Sequence, residues 1–325
     1  MPNVLLTSAG RRVALLRAFR RALDSLGGGR VLAADAATTA AAFHEADGGF
    51  VVPRCDAPDY VPALLDVCRR EDVVLVVPTI DPELPALARA HDAFARIGTL
   101  LALSGPATVD IAFDKAETAA FLHREGVPAP RMLDLASALA GRTRSEFPVV
   151  LKPRFGSGSE GVHLVHDLEE LRFYAARELR PMLQEYVAGA EFTLDVLVGP
   201  RGGVACVVVR QRLEVRAGEI SKGYTVRDPT LEGWARRLTE RLPDAAGPLT
   251  LQCFKGPDGR LAFIEINPRF GGGFPLSLAA GADYPRWLLE WALGRPSTAT
   301  AHGWRGDVAM LRYDDAVFVS RTELS

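Results

Sequence analysis

Three polar side chains in the last quarter of the sequence have types and spacing that suit a divalent cation. Glu265 and Asn267 interrupt an apolar strand at 261–266, and their two-residue spacing puts both side chains on one face. An Asp-Gly turn at 258–259 predicts a hairpin that places Gln252 of the preceding strand opposite Glu265. Because carboxylate and amide oxygens suit Mg²⁺ or Mn²⁺, we predict a metal site at these three residues. The alternative is a hairpin with a solvated polar face.

Arg269 lies just beyond the strand that carries Glu265 and Asn267. That strand is expected to end at Pro268, because proline has no N–H to donate to the ladder. The permanent charge of Arg269 and its fork of N–H groups suit the oxygens of a transferring phosphoryl group, so we predict a catalytic role. Three glycines at 271–273 follow, and we expect the backbone there to approach a ligand closely.

A second stretch has phosphate-binding character. The apolar strand 147–153 ends at Lys152-Pro153, and a Gly/Ser loop precedes the next strand at 162–165. Backbone N–H groups of such a loop can donate to phosphates, and Lys152 can neutralise them. A Walker A loop is excluded, because Gly161 is followed by Val162 and not by Lys-Ser/Thr. We predict that the loop binds phosphate through Gly156, Ser157, Gly158 and Gly161. The alternative is that the loop is only a flexible turn.

The run from Gln252 to Glu265-Ile-Asn267-Pro-Arg269-Phe-Gly-Gly resembles the metal site of the ATP-grasp superfamily. The nearest likeness is to single-unit proteins related to the synthetase component of carbamoyl phosphate synthetase, and biotin carboxylase and D-alanine–D-alanine ligase are more distant. The resemblance covers nearly the whole chain. It implies ATP and Mg²⁺ between two lobes, and attack of a carboxylate on the γ-phosphorus. An amine would then capture the acyl phosphate, releasing ADP and phosphate.

The resemblance also assigns nucleotide contacts. Lys115, in a predicted helix at 114–123, matches the basic residue that reaches the nucleotide. The backbone near Glu185, Tyr186 and Val187 matches the hinge that pairs with the adenine edge. Glu191 matches the carboxylate that accepts hydrogen bonds from the ribose hydroxyls.

A charged stretch at 210–224 follows the apolar strand 204–210 and is expected to be a loop. Arg212 and Lys222 within it are candidates to hold the acyl phosphate or the substrate carboxylate. The alternative is a solvated surface, which is the usual setting of a charge run.

The N-terminal residues predict a βαβ unit, with strands at 4–7 and 31–35 around a helix at 13–26. No G-x-G-x-x-G is present, and the resemblance implies a preATP-grasp domain that usually binds no dinucleotide. The arginines at 11–12 either hold an anion or are surface charge. Asp81 and Glu83 lie beyond the strand 73–77, where they could face the substrate. Alternatively, Asp81 caps a helix that runs to His91, and we favour this interpretation of Asp81.

We therefore predict an α/β fold with a Rossmann-like preATP-grasp domain followed by a two-lobed α+β ATP-grasp domain. The expected ranges are residues 1–110 for the first domain, 111–187 for the small lobe with its glycine-rich lid, and 188–325 for the large lobe with the metal site. A helical segment at 275–293 has Trp287 and Trp291 on one packing face, and 309–319 is expected to form a strand pair.

The amino-acid composition limits the classes of partner that we expect the protein to bind. The net charge of −2 gives no basic excess for nucleic acid or an anionic membrane, and no apolar run reaches the ~18–20 residues of a membrane span. The four cysteines form no C-x-x-C pair, and nothing resembles a signal peptide, so we expect a cytoplasmic protein. Expected substrates are a small carboxylate and an amine, with an amino acid as one candidate, and a homodimer is one expected assembly. Two rivals stay open: a synthetase that stops at an acyl or carboxy phosphate, and a nucleotide-binding regulatory protein.

Overall fold

The computed structural model describes residues 1–142, 147–156, 158, 160–216 and 218–324. The strands are β1 (Asn3–Thr7), β2 (Arg30–Asp35), β3 (Gly48–Val51), β4 (Val73–Pro78), β5 (Leu100–Leu101), β6 (Met132–Leu133), β7 (Val149–Pro153), β8 (His163–Val165), β9 (Pro181–Glu185), β10 (Ala190–Val198), β11 (Val204–Arg216), β12 (Glu219–Thr225), β13 (Gly247–Lys255), β14 (Leu261–Asn267) and β15 (Ala309–Leu311). The helices are α1 (Val13–Ser25), α2 (Ala41–Glu45), α3 (Tyr60–Arg70), α4 (Leu84–Arg89), α5 (His91–Arg96), α6 (Pro106–Phe113), α7 (Lys115–Arg124), α8 (Leu135–Leu139), α9 (Leu168–Ala175), α10 (Pro229–Arg241), α11 (Phe274–Ala279) and α12 (Tyr284–Ala292). Short 3₁₀ helices cover Asp81–Glu83 and Arg321–Leu324.

The first sheet is parallel, with the order β3-β2-β1-β4-β5. Helix α1 crosses between β1 and β2, and its face of Leu16, Phe19 and Leu23 is fully buried because these residues recur at helical spacing. The predicted βαβ unit is therefore present, and the α/β fold class is confirmed.

The second sheet is small and antiparallel, with the order β6-β9-β7-β8. It buries a compact cluster that includes Val149, Leu151, Val165 and Leu183 against helices α8 and α9. Strands β7 and β8 pair directly, so the glycine-rich loop between them is the connection of a hairpin.

The third sheet is antiparallel, with the order β14-β13-β10-β11-β12-β15. The charged stretch expected as a loop is instead the hairpin of β11 and β12, with Arg210 opposite Thr225 and Arg212 opposite Gly223. Its charges do not interrupt the strands, because side chains of a strand alternate between the two faces and the backbone ladder continues. The expected strand pair at 309–319 is also wrong. Only β15 forms there, and it pairs with β12.

One hydrophobic cluster joins the parallel sheet to the large sheet. Phe19 of α1 meets Phe270 edge-to-face with ring centroids 6.0 Å apart, and Trp287 is buried in the same cluster. Trp291 packs against it, as its spacing from Trp287 predicts. The single helix expected at 275–293 is two helices, because Gly281 adopts a φ of +112° between them.

The three sheets fall within the three predicted residue ranges, and the exact boundaries stay a prediction. Helix α7 belongs by sequence to the small-lobe range, yet Phe121 and Leu122 pack in the core of the large sheet. This helix therefore fixes Lys115, its first residue, relative to strand β14.

A buried ion pair crosses the large sheet. Arg210 is 1% exposed, and its Nε and Nη2 donate to the Asp195 carboxylate at 2.7 and 2.9 Å. Ser277 of α11 donates a further hydrogen bond to Asp195, so this carboxylate also ties a helix to the sheet. The guanidinium depends on Asp195 for its charge compensation.

We expect Asp195→Asn to lower the free energy of unfolding by about 3–5 kcal/mol, because it leaves a buried guanidinium without a counter-charge. Urea unfolding followed by circular dichroism measures this change. The matched control is Asp314→Asn, which removes an exposed partner of Arg216 and should change stability by less than about 0.5 kcal/mol. Equal effects of the two substitutions would contradict the structural role of the buried pair.

Candidate functional site

The β13–β14 hairpin places Gln252 opposite Glu265, as predicted, and Thr250 opposite Asn267. The connection between the two strands is not the predicted two-residue turn. Lys255 pairs with Leu261, so the connection is longer than a two-residue turn and shifts the register by one. A bulge next to Gln252 restores it, because Ile264 is an extra residue without a partner on β13.

Hydrogen bonds fix the polar residues of this hairpin. The Nε2 of Gln252 donates to Glu265 at 2.7 Å, and its Oε1 accepts from the Nη1 of Arg212 at 3.0 Å. The side chain of Asn267 is buried, and no described residue offers it a hydrogen-bond partner. Glu265 and Asn267 thus present oxygens that fit Mg²⁺, whereas Gln252 orients Glu265 and would have to release Arg212 to bind metal.

The described residues contain no group of three or more His, Cys, Asp or Glu arranged to hold a metal ion. A metal bound here would therefore combine one carboxylate, Glu265, with amide oxygens and with oxygens of the ligand itself. This composition is typical of Mg²⁺, which keeps few protein ligands when it is carried on phosphates.

A cleft of about 230 Å³ lies between the small and the large sheet. Val150, Val162, Phe254 and Ile264 line its apolar part, and lysines and Glu265 line its polar end. An apolar slot that opens onto cations suits a planar base with an attached polyphosphate. Most of the predicted nucleotide and metal residues line this one cleft: Lys115, Lys152, Gly156, Glu185, Tyr186, Val187, Glu191, Gln252 and Glu265.

Lys152 is the most unusual group in the cleft. Its side chain is buried, and its ammonium has no hydrogen-bond partner among the described residues. Burial lowers the pKa of Lys152 to about 8; the Glu265 carboxylate opposes this shift, and the Lys115 ammonium adds to it. Lys115 itself donates to the carbonyl of Gly156, which holds the start of the lid over the cleft.

The hinge segment, Glu185 to Val187, lines the cleft. Glu185 directs its carboxylate at Arg131 and Arg260, and these contacts outweigh burial and lower its pKa. The backbone of Val187 makes no hydrogen bond to a described residue outside the regular elements. A free N–H and C=O beside an apolar slot fit the adenine-edge role, which stays a prediction.

Glu191 is already engaged by Arg212, whose Nη1 donates to it at 2.6 Å. Burial raises the pKa of Glu191 in spite of this partner, and the nearby Glu265 charge adds to the rise. Arg212 is thus bonded to both Glu191 and Gln252 and lies between the nucleotide cleft and the next cavity. The ribose contact of Glu191 stays a prediction.

The next cavity, which we call the inner cavity, has about 220 Å³ and lies beyond Glu265, Asn267 and Arg269. Its wall is rich in guanidinium groups. The Nη1 of Arg210 and the Nε of Arg212 are buried there without a hydrogen-bond partner in the described chain. Sequence reasoning missed Arg210, although an arginine within an apolar strand was the available signal. Unpartnered buried N–H groups are costly, so they fit an anionic ligand.

Asp81 belongs to this inner cavity. Its carboxylate accepts from Nε and Nη2 of Arg269 at 2.8 and 2.6 Å, and it does not cap the following helix. The capping interpretation is therefore wrong. Burial acts to lower the pKa of Arg269, but the Asp81 charge outweighs burial and raises it. The contact joins residues 188 positions apart in sequence, which no local pattern predicts.

The sequence allowed Glu83 to face the substrate, but its carboxylate is turned into the protein. It is fully buried, accepts from the backbone N–H groups of Thr79 and Ile80 at 2.7 and 3.1 Å, and accepts from the Tyr60 hydroxyl at 2.5 Å. Burial raises its pKa. Glu83 therefore shapes the turn that delivers Asp81 to Arg269.

The glycines at 271–273 make room for protein side chains. A Cβ on Gly272 would lie 2.3 Å from the carboxyl carbon of Glu219, and one on Gly273 would lie 2.2 Å from the Nη1 of Arg210. All three glycines line the inner cavity, so the close approach of a ligand stays a prediction. Their lack of a Cβ also allows Glu219 and Arg210 to reach the cavity wall.

Two predicted residues, Lys222 and Gly161, line neither the nucleotide cleft nor the inner cavity. Lys222 is half exposed, pairs with Glu214 at 2.6 Å and lies outside the cleft and the inner cavity, so its catalytic role stays a prediction without support from this arrangement. The reason is that Lys222 points outward on β12, whereas Glu219 reaches the inner cavity. Gly161 lines no cavity and packs against Glu178 with a φ of +69°, while Gly158 lines the inner cavity. Ser157 lies outside the described residues.

Comparisons with known proteins agree with this arrangement. A family profile described as PylC-like, N-terminal domain, matches residues 4–102, and one described as ATP-grasp in the biosynthetic pathway with Ter operon matches residues 178–314. The carbamoyl-phosphate synthase of Methanobrevibacter smithii is 27% identical over 154 residues, which are 46% of this chain and 41% of that protein. Residues 178–314 thus match an ATP-grasp family. The chain spans less than half the length of the curated relatives named carbamoyl-phosphate synthase that it matches.

Solved structures share the ATP-grasp fold. The biotin carboxylase domain of 2-oxoglutarate carboxylase from Hydrogenobacter thermophilus has a TM-score of 0.73 at 18% identity, covering 94% of this chain and 73% of that one. N5-carboxyaminoimidazole ribonucleotide synthetase from Thermotoga maritima has a TM-score of 0.67 at 19% identity, covering 92% of this chain and 78% of that one. The predicted ATP-grasp architecture is therefore confirmed. Among the described residues, no helix combines the length and apolar character needed to cross a membrane.

We expect Lys152→Met to stabilise the ligand-free protein while weakening ATP binding. The folded-state pKa of about 8 lies below the ordinary 10.5. The unfolded chain therefore binds more protons between these values, stability rises with pH across this window, and at pH 7 the buried charge is a cost. Its removal should raise the free energy of unfolding by up to about 3 kcal/mol. Urea unfolding and ATP titration calorimetry measure the two effects.

The matched control is Lys222→Met, which removes an exposed lysine and should leave both stability and ATP affinity nearly unchanged. A Lys152→Met protein that is less stable than the wild type, or that binds ATP equally well, would contradict the assignment of Lys152 as an uncompensated phosphate ligand.

Proposed function

We propose that the protein is an ATP-dependent carboxylate–amine ligase that activates a carboxylate as an acyl phosphate and transfers the acyl group to an amine, releasing ADP and phosphate. One observation carries the proposal. Lys115, Lys152 and Glu265 line a single nucleotide cleft, and this cleft meets the arginine-rich inner cavity at Glu265. A γ-phosphate at that junction would face a cavity built for an anion.

The residues divide the work of phosphoryl transfer by position. Lys115 and Lys152 bind phosphate oxygens at the end of the cleft, and Glu265 with Asn267 would hold Mg²⁺, which would supply further neutralisation of phosphate charge. Arg269, fixed in orientation by Asp81, offers its remaining N–H groups to the transferring phosphoryl group and the substrate carboxylate. Preorganised donors of this kind stabilise charge that develops in the transition state.

Arg210 and Arg212 extend this role into the inner cavity. Each has one buried nitrogen without a hydrogen-bond partner in the described chain, and both line the cavity next to Arg269. We propose that the substrate carboxylate occupies this position, because an anion there satisfies both donors. Arg212, bonded to Glu191 and Gln252, would also sense the nucleotide on its other side.

Two alternatives lead to different products. A synthetase that stops at an acyl or carboxy phosphate would form a hydroxamate with hydroxylamine but no amide with an amine. A regulatory protein would bind ATP without carboxylate-dependent turnover, which is disfavoured by the cations and oxygen ligands retained in the cleft.

We propose a homodimer as the assembly, in line with the dimer named for the Hydrogenobacter thermophilus domain.

We expect the acyl phosphate to form without the amine and to depend on Arg269. An ADP-release screen first identifies the carboxylate, and positional isotope exchange in ATP then reports reversible phosphoryl transfer. Scrambling of the β,γ-bridge oxygen should occur in the wild type with the carboxylate present, and Arg269→Ala should slow it by about 10²–10³. Arg20→Ala, on the surface of α1, is the control and should scramble at the wild-type rate. Cleavage of ATP to AMP, or full scrambling in Arg269→Ala, would contradict the mechanism.

A further inference from the structure

A third cavity, of about 730 Å³, adjoins the inner cavity and opens toward the C-terminal segment; we call it the outer cavity. Its wall combines the turn before α1, the start of β12, the glycine segment 271–272 and residues 312–315. The two cavities share a wall that includes Arg12, Ile80 and Glu219. A ligand of the outer cavity therefore lies next to the group that Arg269 would activate.

Glu219 is the carboxylate at this boundary. Its two oxygens lie 3.2 Å from the Nη1 of Arg12 and 2.8 Å from the Nη1 of Arg312. Burial opposes ionisation of Glu219, but the two arginines outweigh it and lower its pKa. Among the acidic residues of the described chain, it alone lines both the inner and the outer cavity.

Arginine is in excess around this single carboxylate. Burial and the neighbouring Arg269 and Arg312 charges lower the pKa of Arg12, even though Glu219 acts in the opposite direction. Arg11 lines both cavities and has no ion-pair partner in the described chain. The boundary thus has room for one more anionic group beside the arginines.

We propose that the outer cavity binds a zwitterionic amine substrate, an amino acid, whose ammonium group pairs with Glu219 and whose carboxylate pairs with Arg11 and Arg312. The inference rests on the proposed ligase function for the role of the ligand as acceptor. The ammonium at Glu219 would face the inner cavity, which places the nitrogen toward the acyl group. Leu15, Phe274 and Pro275 line the same cavity and offer an apolar surface to the ligand side chain.

The ion pairs that a ligand can form with Glu219 and the arginines favour a zwitterion over a simple anion or a polyanion. One oxygen of Glu219 accepts a hydrogen bond from Arg312, the other forms an ion pair with Arg12, and both retain capacity for a further donor. An entering ammonium supplies that donor, and the entering carboxylate takes up the arginines. A polyanion would instead meet Glu219 together with Asp314 and Asp315, which also line the cavity.

Calorimetry and thermal shift with the twenty standard L-amino acids, each alone and without ATP or Mg²⁺, test the proposal on the full chain. We expect at least one amino acid to bind, and its amide and its N-acetyl derivative to bind at least about tenfold more weakly, since each lacks one charge. Failure of every amino acid to bind, or equal binding of either derivative, would overturn it. Because no ATP is present, this result is independent of whether the ligase reaction occurs.

The isosteric variant Glu219→Gln separates a zwitterion from a plain carboxylate by the sign of its effect. It should weaken amino-acid binding by about tenfold or more and tighten binding of the N-acetyl derivative, because a competing negative charge is removed. Arg312→Gln should weaken both ligands, and the control Arg20→Gln should change neither. Tighter binding of the amino acid to Glu219→Gln would show a site for a plain anion and overturn the proposal.

Discussion

The bidentate bond between Arg269 and Asp81 joins the parts of the molecule that must act together. Arg269 follows the strand that carries Glu265 and Asn267, and Asp81 follows strand β4 of the N-terminal sheet. Because both groups are largely buried and Glu83 fixes the turn around Asp81, the guanidinium has one orientation toward the inner cavity. The N-terminal domain thus forms one wall of the site.

Buried cationic groups in the site lower the stability of the ligand-free protein. Lys152 lies buried without a hydrogen-bond partner in the described chain, and Arg210 leaves one N–H unsatisfied although Asp195 compensates its charge. Both groups would be better solvated in the unfolded chain, so the folded protein carries a cost that an anionic ligand can relieve. Such unsatisfied charge, concentrated at one junction, is a stronger indication of function than the fold.

Sequence patterns predicted what depends on short spacing. The alternation of Glu265 and Asn267 gave one polar strand face, and the hairpin turn brought Gln252 to it, although a longer connection and a bulge at Ile264 compensated each other. Contacts between distant segments were not predictable, since nothing local pairs Asp81 with Arg269. The charged hairpin of β11 and β12 was mistaken for a loop because its pairing with β15 supplies order that its composition does not indicate.

In the proposed mechanism, a carboxylate oxygen attacks the γ-phosphorus in the cavity beside Arg269. Turnover of a substrate labelled with ¹⁸O in its carboxylate, followed by mass analysis of the released phosphate, measures this step. We expect one ¹⁸O atom to pass from the carboxylate to inorganic phosphate in each turnover, with ADP as the other product. Unlabelled phosphate, or label recovered in AMP, would contradict it.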